Sequence, residues 1–509
     1  MEAHERNVAA IAERVRQFYD RKKAFRIYHG STNSTRNLAF KQDQIVDISH
    51  LNNVLRVDRG SRRAYIEPNV PMDALVEATL KQGLVPEVVM EFPGITVGGG
   101  FCGPSGESSS FKYGFFENTV ESIEVLLANG KVVTASVSEN PDLFEGSAGS
   151  FGTLGITTLL VVKLIEATKY VRLEYCPVHS VSQAIEDMAA AINEPSSDFV
   201  DGIVLALSRV LVMVGKLTND TRPDIPVQTF TRARDPWFYI HAERLIDWDS
   251  PNPQPKTVTI PLVDYLFRYD RGGFWTGKYA FQYFITPFNR ITRWALDSLM
   301  RTRVMYHALH ASNMAGSYIL QDLGLPQSTA QEFIEYLDKM FGYYPLWLCP
   351  LRKGAKLSLS PYSNEAQEKE TGKTKQMLLN VGVWGPGSRD HDAFVMQNRA
   401  IEQKLHELGG LKWMYARAYY TEDEFWQIYN RQNYEALRAK YDATTLPSVY
   451  DKIKADLAPR KQPKGIWSAW PLSQVPDLWD VWPISGVYGA LRAVVGYYTP
   501  YGKNYLLAK

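Results

Sequence analysis

A glycine-rich stretch between Phe92 and Gly114 constrains what this chain can fold into more than any other feature of its sequence. It reads FPGITVGGGFCGPSGESSSFKYG and contains seven glycines, with hydroxyl side chains between them. Because glycine is unfavourable inside helices and strands, we expect this stretch to form neither. A flexible linker would not need bulky residues such as Val97 and Phe101. The composition is instead typical of a backbone that wraps closely around a flat, polar, phosphate-bearing ligand.

Two shorter stretches of small residues accompany this one. The segment YHGSTNSTR over residues 28–36 follows a predicted strand, and its composition suits a loop whose backbone N–H groups converge on an anion. A plain polar turn is the simpler interpretation of that segment taken alone. The segment GSAGSFGTLGI over residues 146–156 leads into a further predicted strand. Neither matches a Walker A or GxGxxG pattern, so the chain is not expected to be a P-loop or Rossmann protein.

The length of 509 residues favours two or three domains. The apolar pattern predicts an amphipathic surface helix over 1–23, an α+β domain over 24–170, a second domain over 171–455, and an aromatic, proline-rich tail with little periodicity over 456–509. Strands are predicted over 25–28, 45–48, 63–66, 154–165, 203–214 and 377–383, helices over 72–82, 181–192, 329–340 and 393–408, and a hairpin with its turn at Asn129–Gly130.

The charge and cysteine content exclude several classes of protein. A net charge of +1 argues against nucleic-acid binding, which needs a clustered basic face. The three cysteines lie far apart, which excludes a disulfide framework and a cysteine zinc site, and no other metal motif is present. Residues 1–23 mix charges as no signal peptide does, and residues 481–498 are too polar for a confident membrane span. We therefore expect a protein that is cytoplasmic or peripheral on an internal membrane.

In their order and spacing, the three glycine-rich stretches resemble the FAD-binding domain of the vanillyl-alcohol oxidase and p-cresol methylhydroxylase (PCMH) superfamily. The resemblance implies an α+β, two-domain PCMH-type FAD-binding fold, in which residues 24–170 bind FAD and residues 171–455 form a C-terminal substrate (cap) domain. In that superfamily the stretch that corresponds to residues 28–36 holds the pyrophosphate. The stretch that corresponds to 92–114 runs beside the flavin ring, and the one that corresponds to 146–156 closes the site. The cofactor-binding residues implied here are Gly30, Ser31, Thr32, Asn33, Ser34, Thr96, Val97, Gly98, Gly99, Gly100, Gly103, Ser105, Gly106, Glu107, Ser108, Gly155 and Ile156.

A closer resemblance covers residues 24–455. The segments RIYHG (26–30), YPLWLCP (344–350) and MYARAYYTEDEFW (414–426) are similar to the 24-dehydrocholesterol reductase family with its plant Diminuto relatives, the delta(24)-sterol reductases. That family is an FAD-dependent reductase that uses NADPH to saturate the side-chain double bond of sterols. The resemblance therefore implies a lipophilic, sterol- or terpenoid-like substrate and NADPH as electron donor.

The sequence also departs from that family. Its animal and plant members begin with a membrane-anchoring apolar segment that these residues do not contain, and they carry a histidine-rich HRHTR run where this chain reads FRYDR over 267–271. Two alternatives therefore stay open. One is an FAD-dependent oxidase or dehydrogenase of an alcohol or amine on the same scaffold. The other is a non-redox cyclase in which FAD is structural.

The resemblance further implies that the flavin is bound without a covalent link. Covalent members use a histidine in the pyrophosphate loop, and Asn33 stands at the corresponding position. Doubly linked members add a cysteine just ahead of the Thr96–Val97–Gly98 segment, near which Gly94 stands, and Cys102 comes too late in the chain for that role.

Reduction of an isolated alkene would pair hydride delivery from the flavin N5 with a proton from a positioned acid, in surroundings that tolerate positive charge. The resemblance directs attention to residues 264–279, where Tyr265, Tyr269 or Asp270 could donate the proton. Arg268 and Arg271 could hold a phosphate, the flavin carbonyls or a charged substrate group. The predicted catalytic set is therefore Tyr265, Arg268, Tyr269 and Arg271, with Trp275 lining the cavity and Tyr415, Tyr419 and Tyr420 as second choices.

Overall fold

The computed structural model describes residues 1–30, 40–312, 314–342, 344–352, 359, 377–455, 457 and 482–498. The helices in this part of the chain are α1 (Glu2–Asp20), α2 (Met72–Leu80), α3 (Val97–Cys102), α4 (Ser110–Tyr113), α5 (Pro141–Ser147), α6 (Val181–Ala191), α7 (Phe238–Leu245), α8 (Leu262–Leu266), α9 (Thr276–Tyr283), α10 (Arg290–Ala295), α11 (Thr302–Ala311), α12 (Gln327–Phe341), α13 (His391–Glu407), α14 (Glu422–Ile428), α15 (Arg431–Lys440), α16 (Val449–Ile453) and α17 (Ile484–Tyr498). The strands are β1 (Arg26–Tyr28), β2 (Ile45–Asp47), β3 (Val54–Asp58), β4 (Arg63–Ile66), β5 (Leu84–Pro86), β6 (Val120–Leu126), β7 (Val132–Ser136), β8 (Ile156–Glu166), β9 (Tyr170–Val178), β10 (Phe199–Ala206), β11 (Arg209–Thr218), β12 (Lys256–Pro261), β13 (Tyr318–Pro326), β14 (Leu346–Leu351), β15 (Leu378–Pro386) and β16 (Leu411–Lys412).

The first domain is built on a six-stranded sheet whose central strand is β8. The strand order is β3-β4-β8-β6-β7, and β5 also pairs with β8. The predicted hairpin is present between β6 and β7, and Gly130 occupies the left-handed region of its turn with φ +83°. Two further strands, β1 and β2, pair in parallel beside this sheet. The α+β two-domain PCMH-type fold is thus confirmed.

Helix α1 belongs to the core of the first domain. Its apolar stripe, which includes Val8, Ile11 and Val15, is buried. His4 lies between two carboxylates, 2.8 Å from Glu67 and 3.3 Å from Glu124. Hydrogen bonds to those carboxylates raise the pKa of His4 to about 9, so the imidazole is charged at neutral pH. The helix therefore docks through a charged cluster as well as an apolar stripe.

The second domain is built on an eight-stranded sheet with two differently used faces. Its order is β12-β9-β11-β10-β14-β15-β13-β16, and its pairings are antiparallel. On β15, Val381 and Val383 belong to an apolar cluster shared with α6, α12 and α13. Because side chains alternate along a strand, Asn380 and Trp384 lie on the opposite face, towards the first domain. That second face forms part of the site described below.

Three expectations from the sequence are wrong at the level of elements. The run over 203–214 is not one strand: β10 and β11 form an antiparallel hairpin across it. The glycine-rich stretch contains the helix α3, and the tail contains the helix α17. Within the described ranges, no helix combines the length and the apolar character that crossing a membrane requires.

Candidate functional site

One large cavity lies where the two domains meet. Its volume is about 760 Å³, within the roughly 300–1,000 Å³ that small-molecule and cofactor sites occupy. The glycine-rich stretch forms one wall, and the aromatic face of the eight-stranded sheet forms another. Residues of α11 and α17 line a further side, and the lining is mostly apolar. The cavity can therefore hold a large ligand with a lipophilic part.

The glycine wall is formed by α3, and local hydrogen bonds explain why a helix forms there despite its three glycines. Thr96 is the N-cap, and its Oγ1 accepts the N–H of Gly99 at 3.2 Å. The N–H of Gly98 donates to the carbonyl of Pro68 at 2.8 Å. These bonds to neighbouring groups compensate for the poor helix propensity of the three glycines.

The glycines of this wall serve two different purposes. A Cβ on Gly98 would lie 2.6 Å from the Cβ of Pro68, and one on Gly100 would lie 2.4 Å from the Cε of Met90. Packing against Pro68 therefore requires a glycine at position 98, whereas at Gly100 the flexible end of the Met90 side chain would have to shift. Outside its own helix backbone, a Cβ on Gly99 would approach a threonine hydroxyl oxygen at 3.0 Å and nothing closer, and Gly99 lines the cavity. Gly99 leaves a stretch of backbone without a side chain facing the cavity.

The predicted cofactor-binding residues divide between the cavity surface and the layer behind it. Those that line the cavity are Thr96, Gly98, Gly99, Gly103, Ser105, Gly106 and Ile156. Those that are described but do not line it are Gly30, Val97, Gly100, Glu107, Ser108 and Gly155. Ser31, Thr32, Asn33 and Ser34 lie outside the described residues.

The polar end of the cavity fits a phosphate-bearing group. His29 and Phe40, close to the two ends of the predicted pyrophosphate loop, both line the cavity. Arg26 and Lys452 line the same end, where Lys452 donates to the carbonyl of Phe151 at 2.7 Å. A flat glycine wall next to two cationic side chains is the donor set that a flavin with its diphosphate requires. The residues present therefore fit FAD.

The opposite wall is aromatic and contains a strained residue. Phe274, Trp347 and Trp384 line the cavity, and the rings of Phe274 and Trp384 lie 4.1 Å apart. Phe274 has φ +58°, a left-handed conformation that is unusual for a bulky residue. Strain of this kind persists only where the surroundings hold it, and it clusters at ligand sites. Tyr269 supports Phe274 from behind by stacking at 4.0 Å.

Two of the predicted catalytic residues, Arg268 and Tyr269, belong to a closed cluster behind this wall. Arg268 donates to the Asp201 carboxylate at 2.7 Å, and Tyr269 donates to the same oxygen at 2.9 Å. The Trp347 indole donates to it as well, at 3.2 Å. Neither Arg268 nor Tyr269 lines the cavity, although both are described residues. Their position supports the aromatic wall, and a catalytic role for them stays a prediction.

The other two predicted catalytic residues are also held away from the cavity. Arg271 bonds to Asp297 at 2.6 Å and to the carbonyls of residues 230, 233, 235 and 236, so its guanidinium ties down a neighbouring loop. Tyr265 lies 3.4 Å from the hydroxyl of Ser108, and burial raises its pKa above the usual range. Trp275, expected in the lining, donates instead to the carbonyl of Trp384 from the layer behind.

The polar group that does face the cavity is a cluster of Asp322, Asn380 and Tyr415. Tyr415 donates to Asp322 Oδ2 at 2.7 Å, and the Asn380 amide donates to Oδ1 at 2.8 Å. All three line the cavity. Burial in these apolar surroundings, together with the nearby Glu91, raises the pKa of Asp322 to about 7, although the two hydrogen bonds lower it. A carboxyl group with this pKa can exchange a proton at neutral pH.

Sequence reasoning missed Asp322 and ranked Tyr415 only as a second choice. A signal was present, because Asp322 interrupts the apolar strand segment YILQDLGLP over 318–326. A carboxylate in a buried strand needs partners or a shifted pKa, and either one marks it for attention. What the sequence lacked was the pairing of β13 with β15 and β16, which brings the three residues together.

Comparison with known proteins agrees with this site. A family model described as an FAD binding domain matches residues 4–136. Delta(24)-sterol reductase of Homo sapiens is 27% identical over 468 residues, covering 88% of this chain and 86% of that protein. Delta(24)-sterol reductase of Arabidopsis thaliana is 30% identical over 458 residues, covering 82% of this chain and 78% of that protein. A shorter match, 29% identical over 157 residues (30% of this chain, 29% of that protein), is to cytokinin dehydrogenase 4 of Oryza sativa subsp. japonica.

Proposed function

This chain belongs to the Delta(24)-sterol reductase family of FAD-dependent oxidoreductases, and from that premise we propose that it reduces a carbon–carbon double bond in a sterol- or terpenoid-like substrate. NADPH is the proposed electron donor. The observation that carries the proposal is the cavity itself, which joins a glycine wall suited to a flat cofactor to an apolar, aromatic wall suited to a lipophilic substrate. Bound FAD would supply the hydride chemistry.

The cofactor is proposed to lie against the glycine wall without a covalent bond. The predicted set from Thr96 to Ser108, with Gly155 and Ile156, would form or back that wall. The phosphates are proposed to bind to the predicted segment Gly30–Ser34, and Arg26 and Lys452 would add positive charge. Cys102 also lines the cavity, and burial raises the pKa of its thiol. A thiol that stays protonated is a poor nucleophile, which supports noncovalent binding.

The aromatic wall is proposed to serve the substrate. Protonation of an isolated alkene builds positive charge on carbon, and aromatic faces attract such charge by roughly 0.5–2 kcal/mol per ring. Phe274, Trp347 and Trp384 offer three such faces around one volume. Arg268, Tyr269, Tyr265 and Arg271 would hold these rings and the adjoining loops in place, as positioning residues that do not touch the substrate.

An anaerobic experiment tests this function in two steps. The purified protein is precipitated with acid, and yellow colour in the supernatant is expected because the flavin is not covalently bound. The native protein is then mixed with NADPH, which should bleach the flavin band, and a delta(24)-unsaturated sterol should restore it. Bleaching by NADPH without recovery on addition of sterol or terpenoid alkenes would contradict alkene reduction.

The same experiment distinguishes the oxidative alternative, which the match to a cytokinin dehydrogenase over 157 residues favours. In that case NADPH would leave the flavin band unchanged, while an alcohol or amine substrate would bleach it. A flavin band that responds to neither class of reagent would point to the non-redox alternative.

A further inference from the structure

We infer that the Tyr415 hydroxyl donates the proton that the substrate double bond takes up, and that Asp322, hydrogen-bonded behind it, replaces that proton. The inference rests on the proposed alkene reduction and names the acid that this reaction needs. The proton donor is thus assigned to a cluster on one face of the eight-stranded sheet and not to residues 265–271.

The first support is geometric. Tyr415 and Asp322 are in direct contact, with 2.7 Å between the hydroxyl and Oδ2, and both line the cavity. Asp322 is held on its other oxygen by Asn380, and its strand β13 is paired on both sides, with β15 and with β16. The carboxyl group is therefore fixed by a rigid element, while part of it remains accessible to the cavity.

The second support is the hydrogen-bonding capacity of the Tyr415 oxygen, which can accept two bonds and donate one. The Trp384 side chain forms a hydrogen bond to Tyr415, and an indole N–H can only donate. When Asp322 is protonated, it can donate to the same oxygen. Asp322 and Trp384 can then both donate to the Tyr415 oxygen, and the Tyr415 side chain lines the cavity.

The third support is the charge around Asp322. Within the described residues, Asp322 has no ion-pair partner, and the titratable groups facing it are Glu91, Tyr306, Tyr415 and Cys349. Glu91 adds negative charge, and none of these groups adds positive charge at neutral pH. A buried carboxyl group in such surroundings retains its proton to a higher pH than a solvated one.

The proposed step balances in atoms and electrons. The π electron pair of the alkene forms a new C–H bond to the proton of Tyr415, and that O–H bond breaks as the proton of Asp322 moves to the tyrosine oxygen. The neighbouring carbon receives hydride from the reduced cofactor, so the alkene is reduced and the cofactor is oxidised. Asp322 is left as a carboxylate and regains a proton from water.

The two-proton relay matters because a bare tyrosinate would be costly here. Burial and the Asp322 charge raise the pKa of Tyr415 well above its usual range. Replacement of the tyrosine proton by Asp322 during the same event avoids a phenolate anion in an apolar cavity. Tyr415 is thus the catalytic residue, and Asp322 is the proton source behind it.

The principal test measures the two half-reactions separately in the holoenzyme. In Tyr415→Phe, we expect reoxidation of the reduced flavin by a delta(24)-unsaturated sterol to slow by about 100-fold or more, the effect of losing a general acid. Bleaching of the flavin by NADPH should stay within twofold of wild type. Tyr239→Phe is the matched control, because its buried hydroxyl has no hydrogen-bond partner among the described residues and does not line the cavity. It should change neither rate.

Asp322→Asn supplies a second variant and a readout that does not depend on activity. The sterol half-reaction of the wild type should fall about tenfold per pH unit above pH 7 or so, and in the variant it should be slow and independent of pH. Infrared difference spectra of the resting holoenzyme should show the C=O band of a protonated carboxylic acid at pH 6. That band should disappear with an apparent pKa near 7 and be missing in Asp322→Asn.

Each outcome bears on a different claim. Wild-type rates of sterol reduction in Tyr415→Phe would overturn the inference and leave the proposed reductase intact. If the wild type reduces no alkene at all, the proposed function fails, and the infrared band still decides the state of Asp322. An Asp322 that is ionised at pH 6 would overturn the inference whatever the activity.

Discussion

Two buried tyrosine–aspartate clusters lie on either side of the same aromatic wall, and they differ in charge and access. Behind the wall, Asp201 receives hydrogen bonds from Arg268, Tyr269 and Trp347. In this closed cluster the Trp347 side chain lines the cavity, whereas Asp201, Arg268 and Tyr269 do not. In front of it, Asp322 receives hydrogen bonds from neutral donors only and lines the cavity. The closed cluster contains a cationic residue, Arg268, whereas the described hydrogen-bond partners of Asp322 are neutral.

The comparison teaches that residue type alone does not identify a catalytic group. The Asp201 carboxylate is paired with a buried arginine, and three protein donors share one of its oxygens. An aspartate without a cation in the same kind of surroundings keeps a proton that it can give away. The closed cluster supports the wall, and the open cluster is the one that can serve chemistry.

The largest difference should appear when one partner is removed from the closed cluster. Arg268→Met leaves the Asp201 carboxylate buried without its cation, and breaking such a pair costs about 3–5 kcal/mol. Chemical denaturation should show a fall of that size in the free energy of unfolding. A change below about 1 kcal/mol would mean that the Arg268–Asp201 pair does not hold the closed cluster together and that the contrast between the clusters is wrong.

A smaller effect on the free energy of unfolding is expected in the open cluster, where replacing the aspartate should stabilise the protein as pH rises. The pKa of Asp322 rises from 3.8 to about 7 on folding, so the native state binds more protons between those values and loses stability as pH increases through them. At about 1.4 kcal/mol per pKa unit, the loss is at most about 4 kcal/mol. Asp322→Asn should remove this component, so that the variant gains stability relative to wild type between pH 4 and 7. Parallel stability–pH curves for the two proteins would contradict this.

The smallest expected difference lies within the glycine wall, where Gly98 is packed against protein atoms and the adjacent Gly99 faces the cavity. Gly98→Ala introduces a Cβ that would lie 2.6 Å from that of Pro68, which should destabilise the protein by about 1–3 kcal/mol. In Gly99→Ala the new Cβ would lie 3.0 Å from Thr96 Oγ1, so that hydroxyl must shift slightly, and the free energy of unfolding of the apoprotein should change by less than about 1 kcal/mol. The Gly99 variant should instead bind FAD more weakly, as measured by equilibrium titration of the apoprotein. Equal FAD affinity in Gly99→Ala and wild type would show that this backbone does not face the cofactor.

Much of the fold could be predicted from local pattern. The strand over 63–66, the helices near 72–82 and 181–192 and the hairpin at Asn129–Gly130 follow from periodicity and turn chemistry, and the structure contains them. Helix α3 could not be predicted in this way, because the groups that stabilise it, such as the carbonyl of Pro68, come from a neighbouring loop. The hairpin of β10 and β11 was hidden because apolar residues dominate on both sides of its turn, and the short Leu207–Ser208 connection carries no glycine, proline or asparagine to mark it.

The glycine-rich side of the cavity could be predicted from the sequence, and the Asp322 cluster could not. The glycine-rich stretches are contiguous in sequence, so their composition alone indicates a flat ligand and their order resembles a known family. Asp322, Asn380 and Tyr415 are distant in sequence and meet only through the register of three strands. The resemblance drew attention to the arginines and tyrosines of residues 265–271, but their partners, such as Asp201, are equally distant in sequence and could not be predicted.

The most direct test of the account is product analysis after a complete reaction. The holoenzyme is incubated anaerobically with NADPH and a delta(24)-unsaturated sterol in heavy water, and the sterol is examined by mass spectrometry. The account predicts a saturated side chain that carries one deuterium from solvent, delivered through the acid, and one hydrogen from the nicotinamide. Recovery of unchanged sterol while the flavin stays reduced, or formation of an oxidised product, would contradict it.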